Sequence, residues 1–303
     1  MSLHPVRVPS REELVATYSK PLPKGLGTLM TVLAVLGLLV FIAGLLVAPD
    51  RAWRAYHFNW LYFTSLSSAG VMFVAVQRIT TARWSRPIVR LLEGYVAFLP
   101  VAFVLLLVSL FIGKGHIFPW THERPPVAEK VLWYNAAFLS TRAIISFGAI
   151  TLLSLWYIYT SVRLDVGLLP EWGANWAAGL RARMRAGFGE ERRELHSTHS
   201  LQGKLAVFLA LSFGYGWSLL AFDLSMGLSL HFQSTLYGEV PSMPFGLWEI
   251  GVTLGFVGLW GTCYLAFMNA FPRVRAVLMT SPYRDEVQVP VNPETMEPLP
   301  AHE

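Results

Sequence analysis

Apolar residues fall along the chain in six blocks separated by polar or basic stretches. The first, Leu26–Ala48, runs for 23 residues without an ionisable side chain. Phe58–Gln77, Gly94–Gly113, Trp133–Val162, Leu205–Phe222 and Phe245–Phe271 follow. A helix needs about 20 residues to cross the hydrocarbon of a bilayer, and each block is of that order. Leu205–Phe222 is the shortest, and Met226 and its neighbours can extend it. The blocks are continuously apolar rather than alternating, which predicts helices and not the strands of a barrel. The expected fold is an all-α integral membrane protein, a bundle of six transmembrane helices. Residues 1–25 form a polar leader, 26–271 the membrane domain and 272–303 a Pro-rich tail expected to be extended. The first block follows that leader, is too long for the h-region of a signal peptide and lacks a small-x-small cleavage site, so it reads as a retained anchor.

Composition agrees: apolar types make up 54% of the 303 residues, charged types 14%, and mean hydropathy is +0.46. Soluble domains carry about 25% charge, so a soluble enzyme is not expected. The net charge of +5 matters less than its placement. Assigning connections alternately to two sides puts eighteen Lys and Arg with the leader, the second and fourth connections and the tail, against five on the other side. The positive-inside rule then places both termini in the cytoplasm. The basic pI belongs to this face, and no nucleic-acid motif is present. The longest connection, 163–204, carries Trp172, Trp176 and Leu180 at helical spacing, followed by Arg181, Arg183 and Arg185. That pattern predicts an amphipathic helix in the membrane interface.

Small residues mark packing seams: Ser65, Ser67, Ser68, Ala69 and Gly70 in the second block, Ser212, Gly214 and Gly216 in the fifth, and Gly251, Gly255, Gly258 and Gly261 in the sixth. Such faces let helix backbones approach closely in lipid.

Charges inside a membrane are costly and call for an explanation. Here they are Arg142, Asp223 and Glu249, with Glu93 at the start of the third block. Alternating topology places Arg142 in the outer half of the fourth helix, Asp223 at the outer end of the fifth and Glu249 in the first turns of the sixth. The three are expected to converge near the outer surface. His116, His122 and His231 fall in the adjoining outer connections, with Trp120 and Tyr134 beside them. Two readings stay open. The group is a neutralising structural cluster, or it contacts a quinol head group and passes its protons through a carboxylate or imidazole.

Other chemistries are set aside. None of the eight histidines falls within a predicted span, so a bis-His haem is not expected. The single Cys263 excludes a disulfide framework, an iron–sulfur cluster or a Cys-ligated zinc held within this chain. His196 and His199 read as a solvated pair. No Walker loop, GxGxxG turn, HExxH or GxSxG is present.

Several segments resemble one family. Ala75–Ser85 with Arg90, Glu93 and Pro100, then Gly115-His116 with Trp120 and His122, then Tyr134–Arg142, resemble successive parts of the ActF-type membrane subunits of alternative complex III. Those subunits are NrfD/polysulfide-reductase-like integral membrane proteins. Ala221-Phe222-Asp223 with Met226, His231, Ser234-Thr235 and Tyr237-Gly238, and finally Trp248–Gly258, resemble later signatures of the same family. The likeness runs in patches from about Asn59 to Arg275. It implies a non-redox subunit of a bacterial quinol:cytochrome c-type oxidoreductase in the inner membrane, not an enzyme on its own. The implied partners are membrane lipid, a paralogous NrfD-like quinol-binding subunit, an iron–sulfur subunit and c-type cytochromes. No covalent or metal-ligated cofactor is implied, and quinone or quinol is the one ligand. By this likeness Arg142, Asp223, His231, Glu249 and Glu93 become candidates for a polar path or site, with His116, His122 and Tyr134 nearby. The chain departs by moving directly from the Asp223–Gly238 signature to the closing helix, and by Leu224 and Leu230 where the family has Trp and Pro. It therefore resembles a shortened form in a supporting role. A purely architectural anchor of such a complex is the alternative; an independent transporter is the third, against which stands the lack of an inverted repeat.

Overall fold

A computed structural model of the chain describes residues 10–18, 22–82, 84–118, 135–169, 172–235 and 246–282, the side chains of 225–235 excepted. Among them there is no strand. Six helices are long and apolar enough to cross a membrane. They are α1 (Lys24–Val47), α2 (Pro49–Ile79), α3 (Val89–Ile117), α4 (Ala136–Leu168), α5 (Glu191–Thr235) and α6 (Leu247–Ala270). A multi-pass membrane protein is the architecture these lengths and compositions indicate.

The helices overrun the apolar blocks, and local chemistry sets their ends. Ala48 alone separates α1 from α2, and Pro49 opens α2 at a position where its missing N–H costs nothing. The second span thus starts nine residues before Phe58. Asn135 caps α4 by accepting the amides of Ala137 and Phe138 at 2.9 and 3.2 Å. α3 is irregular: Gly94–Phe98 winds as a 3₁₀ turn just before Pro100, whose ring removes a helical hydrogen bond, and Ser109–Gly113 as a π turn. α5 begins at Glu191, inside the stretch read as an interfacial loop.

α2 is the centre of the bundle. Trp53, Tyr56, Trp60 and Phe63 are buried along it, and their polar tips are satisfied across the core. Trp60 Nε1 donates to the Ala102 carbonyl at 2.8 Å, and the Tyr56 hydroxyl to that of Leu105 at 2.8 Å. Trp260 Nε1 donates to Ser67 Oγ at 2.9 Å, which gives the Ser face of α2 a packing role. α1 lies on α6 along the glycine seam expected from sequence. A Cβ on Gly37 would stand 2.0 Å from Gly255 Cα. The rest of α1, from Leu29 through Leu39 to Leu46, faces outward.

The connections collect at two ends. One end holds the 80–88 turn, residues 169–190, the short helix Arg11–Tyr18 and the segment after α6; Leu14, Leu169, Trp172, Val274 and Ala276 pack together there. This is the basic end. The other end holds the Ala48 joint and the starts of α4 and α6. Within the region after α4, Ala178–Arg185 is a short helix, as the spacing of Leu180 and the arginines predicts, but two of the residues in the pattern turn inward. Trp172 is buried and donates its Nε1 to the Phe271 carbonyl at 3.1 Å, whereas Trp176 and Leu180 face out. Arg181 turns inward: it donates to the carbonyls of Ala174 and Ala270, each at 2.9 Å. Burial pulls its guanidinium below its usual pKa. The first part of the tail is not extended either, because Ala276–Thr280 forms a helical turn docked on the bundle.

Candidate functional site

At the end opposite the basic one, two ion pairs form where one cluster of three was expected. Arg142, two turns into α4, clamps Asp223 of α5 with both arms of its guanidinium, Nε at 2.9 Å and Nη2 at 2.7 Å. The carboxylate side chain is 1% exposed and the guanidinium 11%. Glu249 does not join them. It pairs with Arg51 of α2 at 3.0 and 2.9 Å, in a more open position. Its carboxylate also accepts the Gly246 amide at 3.0 Å, capping its own helix. The physical reason for the split is α2. His57 of α2 reaches the Leu224 carbonyl of α5, and Asn59 reaches Thr253 of α6. Two helical residues differ by about 200° around the axis, so α5 and α6 lie against opposite faces of α2. Asp223 and Glu249 lie at the same end of the bundle but not in one neighbourhood.

The other sequence candidates scatter. His116 meets Asp50 at 2.6 Å on the exposed end. His122 and Tyr134 lie outside the described residues, and His231 lies in the part of α5 whose side chains are not described. Glu93 belongs to the basic end, the far end of the bundle. There Arg90, Glu93 and Asp165 are fully buried, with Arg275 nearly so. Arg90 binds Glu93 at 2.7 Å and also pairs with Asp165. Glu93 further accepts from Ser161 Oγ at 2.6 Å and meets Arg275 at 3.4 Å. Asp165 takes the Val277 amide at 3.0 Å. Two cations and two anions leave the cluster neutral, which is the condition for burying it. Its evident work is to hold α3, α4 and the Ala276–Thr280 turn together.

His57 was missed because the apolar pattern starts at Phe58. The signal was Pro49, a helix-opening residue that carries α2 back past it. His57 is fully buried between Trp60 and Phe118. Its Nε2 lies 3.0 Å from the Leu224 carbonyl. A carbonyl only accepts, so Nε2 carries the proton. Nδ1 is then a buried lone pair with no hydrogen-bond partner. Among the described residues no group of three His, Cys, Asp or Glu could hold a metal.

Between α1, α2 and α6 lies an apolar cleft of about 270 Å³, lined by Val35, Leu38, Phe41, Tyr56, Val252 and Phe256 among others. Its one ionisable group, Tyr56, already donates to Leu105. The cleft suits a hydrocarbon chain and offers nothing to a polar head. A comparison with protein-family models and with curated protein sequences finds no match for this chain.

Proposed function

We propose that the chain is a membrane-integral, non-redox subunit of a quinol-oxidising electron-transfer complex. It would sit in the bacterial inner membrane with both termini cytoplasmic, beside iron–sulfur and c-type cytochrome partners and an NrfD-like paralogue. The family resemblance of its segments motivates this reading. The observation that carries it is the polar group inside the bundle: the Arg142–Asp223 clamp, with His57 bonded to the carbonyl of the very next residue, Leu224. Arg142 orients the Asp223 carboxylate, whose remaining lone pairs can accept a hydrogen bond from a quinol hydroxyl. His57 Nδ1 offers an unpaired lone pair to receive the proton. Glu249 and Glu93, committed to a helix cap and to a buried cluster, leave this path.

The second reading, a purely architectural anchor, is favoured by the completeness of the clamp, in which both carboxylate oxygens are already bonded. Asp223→Asn, Arg142→Leu and His57→Gln distinguish the two. The relay predicts that each lowers quinol-dependent cytochrome reduction while the complex still co-purifies. Full activity in all three assembled variants, with only thermal stability changed, sinks the relay and leaves the anchor. Purification from native membranes addresses the complex itself: a lone oligomer without haem or iron–sulfur subunits contradicts both readings.

A further inference from the structure

A separate cleft of about 50 Å³ opens at the basic end, between the last turn of α2, the 84–88 turn, α5 and the segment after α6. Gln77, Arg78, Ser85, Arg86, His199 and Arg275 contribute to its polar wall, and among the described residues no carboxylate lines it. Arg78 donates Nη2 to the His199 carbonyl at 2.8 Å, which fixes its guanidinium at the rim. Arg275 reaches in from behind, with Glu93 on its far side.

Two wall residues have no reason to be polar unless something occupies the cleft. Gln77 is 6% exposed, and both its amide nitrogen and its amide oxygen lack a partner. Ser85 is 1% exposed, and its hydroxyl lacks one too. A buried polar group left unsatisfied costs about 1–3 kcal/mol, so a ligand that pairs with these groups gains by doing so. The cleft is also lined by three guanidinium groups, those of Arg78, Arg86 and Arg275. Arginine forks and amide or hydroxyl donors are the donor set that tetrahedral oxyanions select. One water needs about 10–15 Å³; this cleft holds a few waters or one compact oxyanion, and it is too small for a quinone ring. Trp84, 68% exposed beside Ser85, is the kind of side chain that settles at headgroup depth.

We propose that this cleft binds a phosphate group, presented either by the headgroup of an anionic phospholipid or by free inorganic phosphate. The site is independent of the quinol reading and stands at the other end of the bundle.

The test uses the full chain purified in a neutral, phosphate-free maltoside detergent. Thermal unfolding is followed while adding dioctanoyl phosphatidylglycerol, dioctanoylglycerol or inorganic phosphate. Phosphatidylglycerol should raise the midpoint saturably and dioctanoylglycerol should not. Saturation by inorganic phosphate at equal or lower concentration assigns the site to the free ion; saturation by the lipid alone assigns it to the headgroup. The double variant Gln77→Leu/Ser85→Ala removes both unsatisfied groups, so without ligand it should unfold no more easily than the parent. Its half-saturation should rise at least tenfold. Arg86→Gln should raise half-saturation in the same direction. No saturable shift with either phosphate source, or a double variant that binds as the parent does, overturns the proposal.

Discussion

Gly37→Ala puts a methyl group where the structure has only backbone to receive it. The new Cβ would stand 2.0 Å from Gly255 Cα, 2.6 Å from Gly255 N and 3.0 Å from the Gly251 carbonyl oxygen. Carbon atoms pack at about 3.5–4.0 Å, and no rotamer can relieve a clash between two helix backbones. α1 and α6 must therefore part by roughly 1.5 Å at this level. A radial gap of only about 0.5–1 Å already forfeits a quarter to a half of each contact's attraction. The lost contacts are not replaced, because the other faces of α1 point outward, where lipid contact is the same before and after. Overpacking of a tight seam costs about 1–3 kcal/mol, against which alanine's better helix propensity returns about 0.5–1 kcal/mol. A net loss of about 1 kcal/mol, and at most about 2.5, is expected. Denaturation of the purified chain in detergent, by heat or by rising dodecyl sulfate fraction, measures it. Gly27→Ala is the matched control: a Cβ there meets nothing within 4 Å, so that variant should be unchanged or up to about 1 kcal/mol more stable. Equal midpoints for the two variants would refute the close-approach account of the α1–α6 seam.

Other substitutions probe other parts of the bundle. Asp165→Asn strips Arg90 of a partner inside the buried cluster and weakens the tie to Val277, so a loss of about 3–5 kcal/mol is expected. Proteolysis should then cut more readily around residues 272–282, which limited digestion reads directly. Arg51→Gln breaks a pair whose arginine is 40% exposed; about 1 kcal/mol or less is expected, well below the effect at Asp165. Trp60→Phe keeps the ring packing but loses the bond to the Ala102 carbonyl, costing about 1 kcal/mol in the same melts.

The span count and the glycine seam were legible because both depend on composition and small-residue spacing, which the bilayer constrains directly. The clamp between Arg142 and Asp223 was legible as well: two opposite charges at the same depth on consecutive antiparallel helices have few other partners. Glu249 was misplaced because sequence gives depth but not azimuth, and α2 stands between it and Asp223. Its partner Arg51 had been set in a connection, since the apolar pattern of α2 begins later than its helix. His57 disappeared for the same reason. In the 163–204 stretch a helix does form over Ala178–Arg185, but Trp172 and Arg181 look interfacial by spacing while their donors are used on the backbone carbonyls of Phe271, Ala174 and Ala270. No local pattern records a hydrogen bond to a residue ninety positions away.

The docked turn at Ala276–Thr280 has a consequence for biogenesis. Asp165 receives the Val277 amide across 112 residues of chain, and Glu93 meets Arg275 across a still longer interval. A ribosome working at about 5–20 residues per second therefore leaves Asp165 waiting roughly 6–22 seconds for the Val277 amide and Glu93 roughly 9–36 seconds for Arg275. Insertion of the sixth helix alone does not complete the molecule. A nascent chain stopped at Ala270 would carry every apolar helix and still hold Glu93 and Asp165 with Arg90 as their one buried counter-charge, an imbalance by which membrane proteases could tell unfinished copies from finished ones.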